Sequence, residues 1–159
     1  MEQGVMLEED LGRLLKELKL TLSTAESCTG GGVAAKIVSV PGSSAYFKGG
    51  IVAYSNEIKE RLLQVSPQTL KQYGAVSKET VMEMVKGAMN TMDSDCAIAT
   101  SGIAGPDGGT AEKPVGTIWI AVANKDEIQT WMLSGDHGRD KNMQNAIQKA
   151  LFMLYNLLK

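Results

Sequence analysis

The stretch "STAESCTGGG", Ser23 to Gly32, restricts the folds open to this chain more than any other. Upstream of its glycines, "LTLST" has the β-branched, alternating apolar content of a strand. Downstream, "GGGVAAKIVSV" turns apolar at helical spacing. The segment predicts strand, tight turn and helix in immediate succession. Ser27, Cys28 and Thr29 then stand on the lip of the turn, where a nucleophile is exposed above a sheet edge and free helix N–H groups point at whatever it attacks. The same glycines would also serve a close strand-to-helix packing turn. These residues alone do not separate the two uses.

The rest of the chain alternates in the same way. "LEEDLGRLLKELK" places Leu7, Leu11, Leu14, Leu15 and Leu18 along one stripe of an amphipathic helix. After the Pro41-Gly42 turn, "GGIVAYS" predicts a second strand and "NEIKERLLQV" a helix directly behind it. Ser66 and Pro67 match an N-cap with proline at the first helical position, and Gly74 closes that short helix. Ser77 caps the next, "KETVMEMVKGAMNTM", with Val81, Val85, Ala88, Met89 and Met92 as its core stripe. "CAIAT" predicts a buried strand, "GTIWIAVANKDEIQTWMLS" an antiparallel hairpin turning at "NKDE", and a last helix starts near Arg139. Its buried face carries Ile147, Leu151, Leu154, Tyr155 and Leu158. Intermixed strands and helices predict an α/β fold, a three-layer α/β/α sandwich with a mixed sheet. With no repeat, low-complexity segment or linker, residues 1–159 are expected to form a single domain.

Composition narrows the function classes. Sixteen basic against eighteen acidic residues, net −2, give no electrostatic footprint for nucleic acid or an anionic membrane, so neither partner is expected. No stretch is long and apolar enough for a membrane span, and "MEQGVMLEEDLGR" is too acidic for a signal peptide. Cys28 and Cys96 lack metal or redox spacing, so a reduced, cytoplasmic chain is expected. A single histidine, His137, excludes zinc sites built on His clusters; no metal and no cofactor are expected. His137 lies in the polar "SGDHGRD" and is expected in a solvated loop, with Asp107 and Asp136 as turn residues.

Three loops follow predicted strands: "ESCTGGG", "YSNEIK" and "SGIAGPDGG". In open α/β sheets ligands gather where strands end and helices begin, so the three could converge on one cleft. The last loop suits a phosphate or oxyanion cradle of backbone donors, although it matches neither Walker A nor the dinucleotide fingerprint; a purely structural loop remains open. A serine nucleophile needs a base. With histidine so scarce, Lys59, alone or paired with Tyr54, is the available one, provided that burial or a neighbouring cation depresses its pKa. A solvated Lys59 on a helix surface is the alternative. Glu26 could orient Lys59 or pair with another neighbour.

"TAESCTGG", "PGSSAYF", "YSNEIK", "GAVS", "SGIAGPDGG" and "EKPVGTIWIA" occur in the order and spacing of the CinA C-terminal domain family, which the chain resembles from about residue 5 to 158. The family is known for nicotinamide mononucleotide amidase activity, hydrolysing the carboxamide to nicotinate mononucleotide and ammonia. The resemblance implies a small nucleotide substrate, Ser27 as nucleophile, and Tyr54 with Lys59 as activating and proton-shuttling groups. It also implies that Thr29, Gly30, Gly31 and the loop Ser101, Gly102, Ala104 and Gly105 hold the substrate and the oxyanion. Two departures limit it. Larger relatives carry an N-terminal molybdopterin-binding-like domain with no counterpart in these 159 residues. Many also have two arginines at the start of the last helix, where "GRDKNMQN" offers Arg139 and then only Lys141, so the resemblance implies Arg139 for the phosphate while Lys141 stays open as the alternative. Oligomeric state leaves no signal in the sequence; a homodimer is the default expectation.

Overall fold

In the two central strands, apolar side chains alternate between branched and small, and this division sets the layers. A computed structural model describes residues 6–159. Its elements are α1 (Leu7–Leu18), β1 (Leu22–Glu26), α2 (Gly32–Val38), a short 3-10 helix (Ser43–Ala45), β2 (Phe47–Val52), α3 (Asn56–Leu63), α4 (Pro67–Tyr73), α5 (Lys78–Met92), β3 (Cys96–Gly102), β4 (Ile118–Ala123), β5 (Ile128–Leu133) and α6 (Arg139–Leu158). The first five residues of the expected domain lie outside the described range. Cys96 and Ile98 of β3, with Ile118, Ile120 and Val122 of β4, pack into a core with α1, α2 and α6. On the opposite face Ala97, Ala99, Ala121 and Ala123 meet Val81, Met84, Val85 and Ala88 of α5. Period-two alternation produces this split, and an alanine face lets a helix approach closely. The approach continues between helices. A Cβ on Gly87 would stand 1.9 Å from the Leu63 carbonyl oxygen, so α5 can lie on the end of α3 only with glycine there.

The five strands form one sheet in the order β2-β1-β3-β4-β5. β1 runs parallel to β2 and β3, while β3–β4 and β4–β5 are antiparallel. The expected α/β/α sandwich with a mixed sheet is therefore the fold. From β1 the chain passes to β2 by way of α2 on one face. It returns to β3, on the far side of β1, by way of α3, α4 and α5 on the other face. The carboxyl ends of β1 and β3 thus lie at a topological switch point, where open α/β sheets leave a crevice.

The local signals behave as their chemistry requires. Ser66 accepts from the Gln68 N–H, Ser77 from the Thr80 N–H, and Ser55 caps α3 through the Ile58 N–H. The leucine stripe of α1 is narrower than expected: Leu11 and Leu15 are buried, Leu14 is half-buried and Leu18 is exposed. α1 packs on α6 through the i, i+4, i+8 row, and Leu18 lies off that row in the last turn. No helix among the described residues is long and apolar enough to cross a membrane.

Candidate active site

β1 delivers its last residue, Glu26, into the core, 1% exposed. The ladder runs on for one more bond, Ser27 N–H to Thr100 carbonyl at 3.0 Å, before the backbone curls away. Gly30 (φ 59°) and Gly31 (φ 99°) take left-handed conformations, which side chains with a Cβ resist, and Gly31 sits at the N-cap of α2. The Glu26 carboxylate reaches across this curl. It accepts from the Thr29 hydroxyl at 2.6 Å and from the N–H groups of Val33 and Ala34 at 2.8 and 3.0 Å. Of the two roles open to it in sequence, Glu26 therefore takes the neighbour-pairing one. It fastens the first turn of α2 to the end of β1 and does not touch Lys59.

The outcome is a serine held still at the strand tip. Ser27 is mostly buried, and Lys59 lies against it with Nζ 3.1 Å from Oγ and 2.8 Å from the Ala53 carbonyl oxygen. Lys59 is 2% exposed, so the solvated alternative fails. The Ser55 cap starts α3 immediately after β2 and turns the fourth residue of the helix inward under the sheet edge. No acidic side chain forms an ion pair with this ammonium among the described residues. Burial is the main influence on Lys59 and lowers its pKa below the ordinary lysine value, with Cys28 opposing to a smaller extent. Cys28 is also buried, and desolvation, with a smaller contribution from Glu26, pushes its thiol up to about 12. One of the two adjacent candidate nucleophiles is thus a thiol kept protonated by burial, and the other is a hydroxyl in contact with a lysine of depressed pKa.

A cavity of about 250 Å³ opens over this pair. Ser27, Cys28, Tyr54, Asn56 and Lys59 line one side; Ala75, Val76, Ser101, Gly102, Ala104 and Arg139 line the other. The structure therefore brings Ser27, Tyr54, Lys59, Ser101, Gly102, Ala104 and Arg139 together. It does not bring Thr29, Gly30 or Gly31 to the cavity wall. Thr29 is 2% exposed and spends its hydroxyl on Glu26 and on Thr100 at 2.7 Å, so it fastens the turn. Gly30 and Gly31 shape the curl. Tyr54 stands at the mouth, 65% exposed, with no hydrogen bond to Ser27 or Lys59 among the described residues. Ser101 donates to the Ala75 carbonyl at 2.7 Å, joining the "GAVS" loop to the end of β3.

The glycine-rich loop is fixed from α6. Arg139 Nη1 donates to the Gly105 carbonyl at 2.7 Å, so Gly105 contributes a tether and Arg139 keeps its remaining N–H groups at the cavity. Asn142, 3% exposed, donates through Nδ2 to the Ala104 carbonyl and to Asp136 Oδ1, each at 3.0 Å, and its Oδ1 accepts from the His137 N–H at 2.9 Å. Sequence reasoning passed over Asn142. The signal was present: it opens the buried row that continues through Ala146 and Ala150, a place where an amide must find partners. His137 is exposed and Asp136 caps its own turn through the Gly138 N–H, as expected of loop residues. Among the described residues no three His, Cys, Asp or Glu side chains gather in a way that could hold a metal ion.

A family described as the CinA C-terminal domain matches residues 5–158. A CinA-like protein of Shewanella amazonensis is 51% identical over 153 residues, 96% of this chain and 35% of its own length. A protein of Halothermothrix orenii named as a putative competence-damage inducible protein is 45% identical over 159 residues, 99% of this chain and 38% of its own length. The chain thus spans little more than a third of these two curated relatives. Among solved structures, a competence/damage inducible protein of Agrobacterium tumefaciens superposes with a TM-score of 0.91 at 38% identity, covering 100% of both chains. One from Enterobacter asburiae gives 0.92 at 33% identity, covering 96% of each.

Proposed function

The chain belongs to the CinA C-terminal domain family, and we propose that it is a metal-independent amidohydrolase that converts nicotinamide mononucleotide to nicotinate mononucleotide and ammonia. One observation carries the reading: Lys59 Nζ lies 3.1 Å from Ser27 Oγ in a buried site that depresses the lysine's pKa. A neutral lysine in that place accepts the Ser27 proton as Oγ attacks the carboxamide carbon. The tetrahedral oxyanion is assigned to the backbone N–H of Cys28, the residue that follows the nucleophile. Collapse expels the amide nitrogen, which takes the proton from Lys59 and departs as ammonia. An ester between nicotinate mononucleotide and Ser27 remains. Water, deprotonated by Lys59, attacks this ester; the proton returns to Ser27 Oγ and the acid is released. The sum is amide plus water giving acid plus ammonia, with no redox step.

The cavity, about 250 Å³, falls below the roughly 300 Å³ at which drug-sized pockets begin. It suits the carboxamide, with the ring at the mouth beside Tyr54 and ribose and phosphate beyond it toward Arg139. Charge-assisted contact between that guanidinium and the phosphate is the expected recognition. Ammonia release from purified protein with nicotinamide mononucleotide, beside nicotinamide and nicotinamide riboside, tests the proposal. Turnover should be fastest with the mononucleotide and much poorer with the riboside, which lacks the phosphate. Turnover confined to some other carboxamide would keep the mechanism and replace the substrate; no amide hydrolysis at all would remove both.

A further inference from the structure

Tyr54 lines the cleft without a hydrogen bond to Ser27 or Lys59 among the described residues. Its backbone is fixed from both sides: Ala53 donates to the Glu26 carbonyl at 2.7 Å and accepts from Lys59, and Ser55 caps α3. The ring itself is 65% exposed at the cavity mouth. A phenol relaying a proton between Ser27 and Lys59 would have to stand between them, yet they touch directly at 3.1 Å. Elsewhere on the surface three aromatic faces are covered by the protein's own cations, while Tyr73, also exposed, has none among the described residues. Lys149 lies over Trp131 and Phe152, and Lys159 over Tyr155. No such cation covers Tyr54 among the described residues.

The charge of the cleft makes that free face consequential. Lys59 and Arg139 are its ionisable nitrogen groups, and no aspartate or glutamate lines it among the described residues. The nearby Glu26 is spent on α2. A cationic ring entering the cavity meets no carboxylate among the lining residues, and Tyr54 is the one aromatic side chain in that lining. We infer that Tyr54 is a specificity-determining platform on which a flat, positively charged heteroaromatic ring stacks at the cavity mouth, and that it is not a proton carrier. The inference rests on the proposed nucleotide substrate, whose ring is a pyridinium.

Two substrates that differ only in ring charge test it: nicotinamide mononucleotide and its reduced form, whose dihydropyridine ring is neutral while carboxamide, ribose and phosphate are the same. kcat/KM for ammonia release is measured on both with the wild type, Tyr54→Phe and Tyr54→Leu. Because the rings differ in intrinsic reactivity, the quantity read is the charged-to-neutral ratio relative to wild type. Loss of a cation–π contact corresponds to a fall of about 5- to 30-fold in that ratio for Tyr54→Leu. Tyr54→Phe, which keeps the ring face and lacks the hydroxyl, should hold the wild-type ratio. An unchanged ratio in Tyr54→Leu would overturn the inference, as would Tyr54→Phe losing turnover of both substrates as severely as Tyr54→Leu, since the hydroxyl would then act in the chemistry. Wild-type protein that releases ammonia from neither substrate would overturn the function itself, and the platform with it.

Discussion

Lys59 can take a proton from Ser27 only while neutral, so the rate should follow the neutral fraction of a single lysine. With the ordinary pKa of about 10.4, well under 1% of molecules would qualify near neutral pH. Lys59 is 2% exposed, has the Ser27 hydroxyl and the Ala53 carbonyl as its partners among the described residues, and its pKa is lowered by burial. Each unit of depression raises the neutral fraction about tenfold, equivalent to about 1.4 kcal/mol. kcat/KM for ammonia release, followed from about pH 5 to about pH 11, should therefore climb about tenfold per unit and level off below the ordinary lysine value. Lys59→Met should lose about 10²- to 10⁴-fold, the usual share of a general base. Lys59→Arg should lose as much, because a guanidinium stays charged at any working pH.

The same depression has a stability counterpart of fixed sign. Between the folded and the unfolded pKa the unfolded chain binds the extra proton, so stability rises with pH across that window and is flat below it. Lys59→Met removes this rise, which urea denaturation at several pH values would read. An active Lys59→Arg enzyme, or a wild-type profile that levels off only at the value of a free lysine, would refute the assignment of Lys59 as base.

Cys28→Ala should keep most turnover and iodoacetamide should leave the wild type active, because the Cys28 thiol is pushed up to about 12 and stays protonated. Glu26→Ala should destabilise the fold by about 3 kcal/mol in urea denaturation, since the N–H groups of Val33 and Ala34 and the Thr29 hydroxyl lose a charged acceptor. Prolonged dialysis against a chelator should leave ammonia release unchanged; activity lost and then restored by one divalent ion would instead implicate a metal.

The fold was legible in the sequence wherever local chemistry and tertiary need coincide. The strand-turn-helix around Ser27 could be read because β-branched residues, glycines and a helical repeat meet there without ambiguity. Ser66-Pro67 with Gly74, and the hairpin around "NKDE", carry their own start and stop signals. The interior of the site was less legible, because its roles depend on direction as well as residue type. Glu26 and Thr29 look like cleft residues by adjacency to Ser27, yet the curl through Gly30 and Gly31 turns both into the protein, where helix N–H groups wait for an acceptor. Leu18 satisfies the leucine pattern of α1 but lies off the row that meets α6, and helical spacing alone does not fix which row that will be. Asn142 was missed for the opposite reason: its partners, Ala104, Asp136 and the His137 N–H, come together only once the chain is folded.

An acyl group carried by Ser27 is the central intermediate of the proposed reaction, and its partitioning between nucleophiles tests it most directly. Hydroxylamine added during turnover competes with water for the ester, giving hydroxamate in place of acid. Nicotinamide mononucleotide and the ethyl ester of nicotinate mononucleotide should yield the same ratio of hydroxamate to acid, because both pass through one Ser27 acyl-enzyme, and Ser27→Ala should form neither product above background. Ratios that differ between the two substrates, or hydroxamate formed undiminished by Ser27→Ala, would contradict it.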